Sequence, residues 1–130
     1  MRFLLRLLTA SLLLVSLSAC GKTGGTADYV CITAQQAKEY MDTEPDCVIL
    51  DVRAQTEYDE GHIPGAVLLP HDEVMAGAEA LLPDKSQRIL VYCRSGRRSK
   101  LAAESLVQLG YTNVMEFGGI LDWPYDVERP

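Results

Sequence analysis

The sequence predicts an α/β domain with a parallel or mostly parallel sheet. Continuous apolar runs at 47–52, 66–69 and 88–92 lack the alternation of a half-exposed strand, and such runs are typical of strands covered on both faces. Helical stretches lie between the runs and the connections are short, as in parallel α/β units. The sequence shows neither internal repeats nor a low-complexity tract.

The first 19 residues have the composition of an export signal. Arg2 and Arg6 precede an apolar run from Leu7 to Leu17, and the segment contains no acidic residue. The run is shorter than the ~20 apolar residues that a membrane-spanning helix needs. We therefore interpret residues 1–19 as a signal peptide.

The signal ends in Leu-Ser-Ala-Cys at 17–20, which resembles the bacterial lipobox. In that motif the cysteine is diacylated and becomes the mature N-terminus, and two or more acyl chains give stable attachment. We expect Cys20 to anchor the protein to the outside of the bacterial cell membrane, or on the periplasmic side where there is an outer membrane. An ordinary secretory signal ending in cysteine is the alternative. Residues 20–28 then form the lipidated end and a flexible tether, and 29–130 form the domain.

The mature chain is strongly acidic. Removing residues 1–19 leaves ten basic against 18 acidic residues, a net charge of −8. An acidic domain is a poor partner for nucleic acid. The remaining 111 residues suffice for one domain with a single core, and we expect a monomer.

The elements can be predicted in order along the chain. A short strand at 30–32 precedes a capping-box pattern at 33–36 that opens a helix to about Met41. Gly110 is placed to end the last long helix as a C-terminal cap. The other predicted elements are a strand at 47–52, a helix at 56–60, a strand at 66–69, a helix at 72–82, a strand at 88–92, a helix at 98–109, a strand at 113–117 and a short helix or turn at 123–126.

Two cysteines and both histidines receive structural interpretations. Cys31 and Cys47 lie in apolar segments, where free cysteine is a small buried hydrophobe; a disulfide between them is the alternative in an exported protein. His62 belongs to a turn and His71 is expected to face solvent. Neither histidine has metal-ligand spacing.

A loop rich in arginine follows the fourth predicted strand. Residues 93–98 read Cys-Arg-Ser-Gly-Arg-Arg and lie where open α/β sheets bind ligands, beyond the carboxyl end of a strand. Backbone N–H groups of such a loop, with the following helix N-terminus, bind anions. Three arginines and the helix dipole favour the thiolate, the nucleophilic form, and attract an anionic donor. Cys93 is the predicted catalytic nucleophile. The predicted substrate-binding residues are Arg94, Ser95, Gly96, Arg97 and Arg98.

Several segments together resemble a single-domain rhodanese. They occur in the order of that family and cover nearly the whole mature chain. The matching segments are 50–53 (Leu-Asp-Val-Arg), 57–58 (Glu-Tyr), 61–66 (Gly-His-Ile-Pro-Gly-Ala), 91–99 (Val-Tyr-Cys-Arg-Ser-Gly-Arg-Arg-Ser) and 117–120 (Phe-Gly-Gly-Ile), with Trp123.

The resemblance implies a rhodanese-like fold with a five-stranded parallel sheet and helices on both faces. It implies that Cys93 takes sulfur from a small anionic donor such as thiosulfate, as a persulfide, and passes it to a thiophilic acceptor such as cyanide or a thiol. It implies no cofactor and no metal. In the family, charges like those of Asp51 and Arg53 brace the loop, and we expect Asp51, Arg53 and Glu57 to support it here. The alternative is a surface ion pair with Glu57 as a further partner, which is worth under ~1 kcal/mol.

Loop length separates two kinds of chemistry on this fold. Related phosphatases and arsenate reductases have a loop one residue longer, ending in arginine, whereas here Arg98 ends the shorter loop and Ser99 occupies the next position. The sequence therefore favours a sulfurtransferase. A sulfur-carrier or binding module with little thiosulfate turnover, and a phosphatase-like or arsenate-reducing enzyme, are the alternatives.

Overall fold

The computed structural model describes residues 28–130. The predicted signal peptide, the lipidation of Cys20 and most of the tether lie outside the described residues. Within the described part of the chain, no helix has the length and apolar character needed to cross a membrane.

A parallel sheet forms the centre of the domain. Its strands are β1 (Val30–Cys31), β2 (Val48–Asp51), β3 (Val67–Leu68), β4 (Ile89–Cys93) and β5 (Val114–Gly119). The spatial order is β1-β5-β4-β2-β3, and every adjacent pair is parallel. The predicted five-stranded parallel sheet is confirmed, and β4, which ends at Cys93, lies at its centre.

The helices are α1 (Ala34–Thr43), α2 (Gln55–Glu60), α3 (Val74–Leu81) and α4 (Arg97–Gln108). The predicted capping box opens α1: Thr33 Oγ1 accepts the Gln36 N–H at 3.1 Å, and Gln36 Oε1 accepts the Thr33 N–H at 2.9 Å. After α4 the chain reverses at Gly110, which has a left-handed φ of +93°, as predicted for a C-terminal cap.

Two predicted elements differ from the structure. The helix predicted at 72–82 begins as a 3₁₀ helix, His71–Glu73, and becomes α-helical only from α3 onward, because Glu73 adopts φ −102° and ψ −3° and interrupts the regular α-helical dihedrals. The terminal turn predicted at 123–126 lies earlier, as a 3₁₀ helix at Ile120–Asp122. Pro124 disfavours a helical conformation at the residue before it, and Trp123 is extended.

The helices cover both faces of the sheet, as predicted. Alternate residues of β4 divide between two buried clusters: Ile89, Val91 and Cys93 pack with residues of α3 and α4, whereas Leu90 and Tyr92 pack with residues of α1 and α2. Successive side chains of a strand point to opposite faces. Cys93 therefore points toward the face covered by α3 and α4.

Cys31 and Cys47 are both half-buried. Cys31 is disulfide-bonded, so the interpretation of this residue as a free buried cysteine is wrong. Cys47 is a free thiol, so the alternative of a disulfide between these two residues is wrong. Burial is the main factor that raises the pKa of the Cys47 thiol above 9.0, and a thiol with a raised pKa is a poor nucleophile at neutral pH.

Candidate active site

Cys93 is the last residue of β4, and its side chain is 1% exposed. Its Sγ accepts the Gly96 N–H at 3.0 Å, and the backbone N–H groups of Ser95 and Ser99 also help to lower the pKa of the thiol. The sulfur thus lies at the floor of a ring of amide hydrogens. Three residues of the loop that follows it, Arg94, Ser95 and Arg97, are exposed.

The loop lowers the pKa of the Cys93 thiol from 9.0. Burial is the largest single effect and raises the pKa, because it penalises the charged form. Four hydrogen-bonding groups together lower the pKa by more than burial raises it: the Ser99 side chain and the backbone amides of Ser99, Gly96 and Ser95. The geometry therefore favours a thiolate, which is the form that attacks sulfur.

Gly96 gives the loop its curvature. It caps α4 with φ +108° and ψ −10°, a left-handed conformation that side chains with a Cβ rarely adopt. This conformation turns the Gly96 N–H inward to the sulfur. The role that the sequence assigns to this glycine therefore has a direct geometric basis.

Arg98, at the end of the loop, and Glu57 in α2 form a bidentate ion pair. Arg98 Nη1 and Nη2 donate to the two carboxylate oxygens of Glu57 at 2.6 and 2.9 Å. The Arg98 guanidinium is thus engaged by α2, while its charge still interacts with Cys93. Its contact with a donor anion stays a prediction.

The ion pair makes stability depend on pH. Hydrogen bonds from Arg98 are the main cause that lowers the pKa of Glu57 from 4.5 to about 2. A carboxylate with a depressed pKa contributes stability above its unfolded pKa, and the contribution is lost as the pH falls through the folded pKa. The stabilisation is therefore complete above about pH 4.5 and lost towards pH 2.

We expect Glu57→Gln to lower the free energy of unfolding at neutral pH by about 1 kcal/mol, allowing for solvent screening. The difference from the unsubstituted chain should shrink as the pH falls below about 4.5. Urea denaturation over this pH range measures it. A difference that stays constant with pH would contradict the assigned role of the pair.

Asp51 and Arg53 form a buried network instead of a surface pair. Asp51 is 0% and Arg53 5% exposed, so the surface alternative is wrong, and the Arg53 partner is Asp51 at 2.7 Å. Arg53 Nη2 also donates to the Gly61 carbonyl at 2.8 Å. Tyr92, the residue before Cys93, donates its hydroxyl to Asp51 Oδ2 at 2.6 Å and accepts the Ile63 N–H. The network ties β2 to the end of β4 and to the turn at 61–63.

We expect Arg53→Met to destabilise the fold by about 3 to 5 kcal/mol, because it leaves the Asp51 carboxylate buried without its cation. Denaturant unfolding measures the loss. The double variant Asp51→Asn with Arg53→Met should recover part of it, since the buried charge is then removed as well. Equal stability of the single and double variants would show that the ion pair is not the cause.

The histidines lie in structural contacts. His62 stacks on Tyr58 with ring centroids 3.8 Å apart, and its Nε2 lies 3.4 Å from Glu128 Oε2. These contacts fit the predicted turn role. His71 is half-buried in the 3₁₀ helix and is not the solvent-exposed residue that the sequence suggested, because α3 and α4 pack against this 3₁₀ helix.

The structure adds residues that sequence reasoning did not assign to the site. Glu116 in β5 is 2% exposed and hydrogen-bonds to Ser99. Gly119 packs directly against the Arg94 carbonyl, which lies 2.0 Å from where a Cβ on Gly119 would stand. The available signal for Glu116 was an acidic residue inside the strand predicted at 113–117. The order of the strands, in which β5 lies beside β4, is what shows that this acidic residue belongs to the site.

Comparison with known proteins agrees with this geometry. The rhodanese-like domain family matches residues 33–124. Thiosulfate sulfurtransferase PspE of Escherichia coli is 40% identical over 73 residues, which cover 56% of this chain and 70% of that protein. The putative sulfur carrier protein YrkF of Bacillus subtilis is 37% identical over 93 residues, which cover 71% of this chain and 49% of that protein. This chain therefore spans about half of the Bacillus relative.

Solved structures show the same relationship. A rhodanese with anions from Escherichia coli superimposes with a TM-score of 0.60 and 35% identity, covering 64% of this chain and 98% of that one. A thiosulfate sulfurtransferase from Pseudomonas aeruginosa gives a TM-score of 0.71 and 27% identity, covering 78% of this chain and 20% of that one. The family match over most of the described residues, the parallel sheet and the loop at Cys93 lead to one conclusion: the chain belongs to the rhodanese-like domain family.

Proposed function

We propose that the protein is a sulfurtransferase that carries sulfane sulfur on Cys93, from a donor such as thiosulfate to cyanide or a thiol. The observation that carries the proposal is the ring of amide N–H groups around Cys93 Sγ, of which the Gly96 N–H is 3.0 Å away. Such a ring stabilises both a thiolate and the terminal sulfur of a persulfide. The sulfurtransferase name of the Escherichia coli relative supports the same reaction class.

The reaction divides into two displacements. The Cys93 thiolate attacks the outer sulfur of thiosulfate, the sulfur–sulfur bond of the donor breaks, and sulfite leaves with the bonding electron pair. This leaves a Cys93 persulfide whose terminal sulfur carries the negative charge. Cyanide or a thiolate then attacks that sulfur and releases the Cys93 thiolate. No external oxidant or reductant is consumed in either displacement.

A sulfur-carrier role is the second candidate, because one relative is named a putative sulfur carrier. In that role Cys93 holds the persulfide for a dedicated partner and turns over thiosulfate poorly. The phosphatase-like or arsenate-reducing alternative is less well supported, since the loop ends at Arg98 and the chain matches rhodanese-like domains.

One assay separates the two candidates. The full-length chain is incubated with thiosulfate, its mass is measured, and thiocyanate is then measured after cyanide is added. Catalytic release of thiocyanate over many turnovers supports the transferase. A stable mass gain of one sulfur on Cys93 with at most one equivalent of thiocyanate supports the carrier. The absence of both a mass gain and thiocyanate would contradict both candidate functions.

We also propose that the protein is exported and lipid-anchored through Cys20. The support is the apolar run that ends in Leu-Ser-Ala-Cys at 17–20. Metabolic labelling with a radioactive fatty acid in a bacterial host tests it: label should enter the unsubstituted chain and be absent from Cys20→Ser. Equal labelling of the two chains, or none in either, would contradict the anchor.

A further inference from the structure

Apolar and basic side chains lie together on the surface beside the Cys93 loop. Leu121 is 61% exposed, the highest value among the large hydrophobic side chains of residues 28–130. Leu101 in α4 is 43% exposed, and it follows Arg97 by four positions, so these two side chains lie on one face of the helix. Arg94, Arg97 and Lys100 are exposed as well. We call these five residues the loop-side patch.

The backbone fixes Leu121 beside the loop. Its N–H donates to the Arg94 carbonyl at 3.2 Å, and it lies in the 3₁₀ helix Ile120–Asp122 that directly follows β5. Because Cys93 pairs with Gly119 in the sheet, Leu121 comes two residues after the position in β5 that lies beside the candidate nucleophile. The side chain is therefore held next to the loop, although most of it faces solvent.

The charge of the loop-side patch is positive. Lys100 Nζ lies 3.8 Å from the point that a Cβ on Gly96 would occupy, so this cation lies beside the loop. Within residues 28–130, Arg94, Arg97 and Lys100 take part in no ion pair. One exposed carboxylate, that of Asp122, lies next to the patch. Three cations against one carboxylate leave a positive surface on a chain whose net charge is −6.

A small sulfur acceptor does not account for the exposed leucines at this place. Cyanide is a two-atom anion and gains nothing from an apolar side chain outside the loop. A polypeptide segment, in contrast, can cover Leu121 and Leu101 and remove their apolar surface from water. Its carboxylates can pair with the surrounding cations. An apolar centre with a charged rim is the usual composition of a protein–protein interface.

We propose that the loop-side patch binds the sulfur acceptor, and that this acceptor is a cysteine thiol of another protein, flanked by apolar and acidic side chains. The inference rests on the proposed function, because it names the acceptor class of the same site. The partner's thiolate attacks the terminal sulfur of the Cys93 persulfide. A new sulfur–sulfur bond forms, the bond from that sulfur to Cys93 breaks, and Cys93 leaves as a thiolate. The partner becomes the persulfide, and no external oxidant or reductant is consumed.

Three short peptides test the acceptor chemistry on the full-length chain after it has been loaded with sulfur from thiosulfate. They are acetyl-Glu-Leu-Cys-Leu-Glu-amide, the basic acetyl-Lys-Leu-Cys-Leu-Lys-amide and the polar acetyl-Glu-Ser-Cys-Ser-Glu-amide. Mass spectrometry follows the loss of one sulfur from Cys93 and gives a second-order rate constant for each peptide. We expect the acidic apolar peptide to react about tenfold faster than either of the others. Lysines lower the thiol pKa of the basic peptide, so its intrinsic reactivity opposes the expected order.

Leu121→Ser removes the apolar side chain and keeps the backbone N–H that binds Arg94. We expect it to slow the reaction with the acidic apolar peptide about tenfold and to leave thiocyanate formation with cyanide unchanged. Leu81→Ser is the matched control, because Leu81 is 42% exposed and ends α3 ahead of β4, at the edge of the sheet opposite Cys93. The control should change neither rate.

Three results would overturn the proposal. Equal rates for the acidic apolar and acidic polar peptides would mean that the patch attracts anions only. Equal slowing of the peptide and cyanide reactions by Leu121→Ser would mean that the side chain supports the loop and binds no partner. A dimer in sedimentation that Leu121→Ser converts to a monomer would mean that a second copy of the chain covers the patch.

Protection of Cys93 separates this inference from the proposed function. The acidic apolar peptide with serine in place of its cysteine can bind but cannot accept sulfur. It should slow alkylation of Cys93 by iodoacetamide in the unsubstituted and Leu81→Ser chains, and slow it less in Leu121→Ser. Protection without persulfide formation would retain the docking surface and reject the sulfurtransferase. Thiocyanate formation without protection or peptide preference would do the reverse.

Discussion

Replacing Cys93 with alanine is expected to abolish thiocyanate formation, with a loss of about 10³-fold or more. The physical reason is that the ring of amides has no nucleophile to stabilise once the sulfur is gone. The mass gain after incubation with thiosulfate should disappear in parallel. Colorimetric thiocyanate detection and intact-protein mass spectrometry measure the two effects.

Cys47→Ala is the matched control, since it makes the same substitution at another free thiol. Burial raises the pKa of the Cys47 thiol. The Cys47 Sγ donates to the Tyr40 carbonyl at 3.8 Å, whereas the Cys93 Sγ accepts the Gly96 N–H. We expect full activity from this variant. Activity that survives Cys93→Ala, or that is lost with Cys47→Ala, would remove Cys93 from the proposed role.

Replacing Gly119 with alanine is expected to reduce activity by about 100-fold or more, because displacement of a catalytic group by ~1 Å has an effect of this size. A Cβ at Gly119 would stand 2.0 Å from the Arg94 carbonyl oxygen and 2.6 Å from the Ser95 nitrogen. Those atoms are backbone and cannot swing aside as a long side chain can. The start of the loop has to move away from β5, and the amides then no longer converge on the sulfur.

Gly118→Ala is the control for this substitution. Its Cβ would meet no atom within 4 Å, although its φ of +88° makes alanine strained by about 1 kcal/mol. We expect this variant to lose some stability and to retain most of its activity. Thermal unfolding and the thiocyanate assay, measured on both variants, separate backbone strain from loop displacement. A fully active Gly119→Ala chain would show that the tight packing of the loop on β5 is not required.

We propose that the same loop performs two tasks, one through its backbone amides and the other through its arginine side chains. Its amides lower the pKa of the Cys93 thiol, and its exposed cations, Arg94 and Arg97, face the solvent from which an anionic donor arrives. In a chain that is acidic overall, this local positive field attracts a small anion. Because the Arg98 charge is engaged by Glu57, we expect the donor to meet Arg94 and Arg97 first.

The sequence alone determined the class of the fold and the position of the candidate nucleophile. Unbroken apolar runs predicted the strands β2, β3 and β4. For β4, which is buried along its whole length, the reason is that a strand covered on both faces has no polar side to alternate with. The edge strand β3 is partly exposed. Cys93 followed one of them, and Gly96 marked the turn that curls the loop around it. These features depend on a few consecutive residues, so the hydrophobicity and backbone preferences of those residues are enough to predict them.

Only the tertiary structure decided which distant groups meet Cys93. In the sequence Glu116 is only an acidic residue within a strand, whereas in the fold β5 lies beside β4 and Glu116 Oε1 lies 2.6 Å from Ser99 Oγ. Arg98 was expected to face the anion, yet folding brings Glu57, 41 positions away along the chain, within 2.6 Å of it. Such pairings depend on the relative positions of whole elements, which the pattern of residues within any one element does not specify.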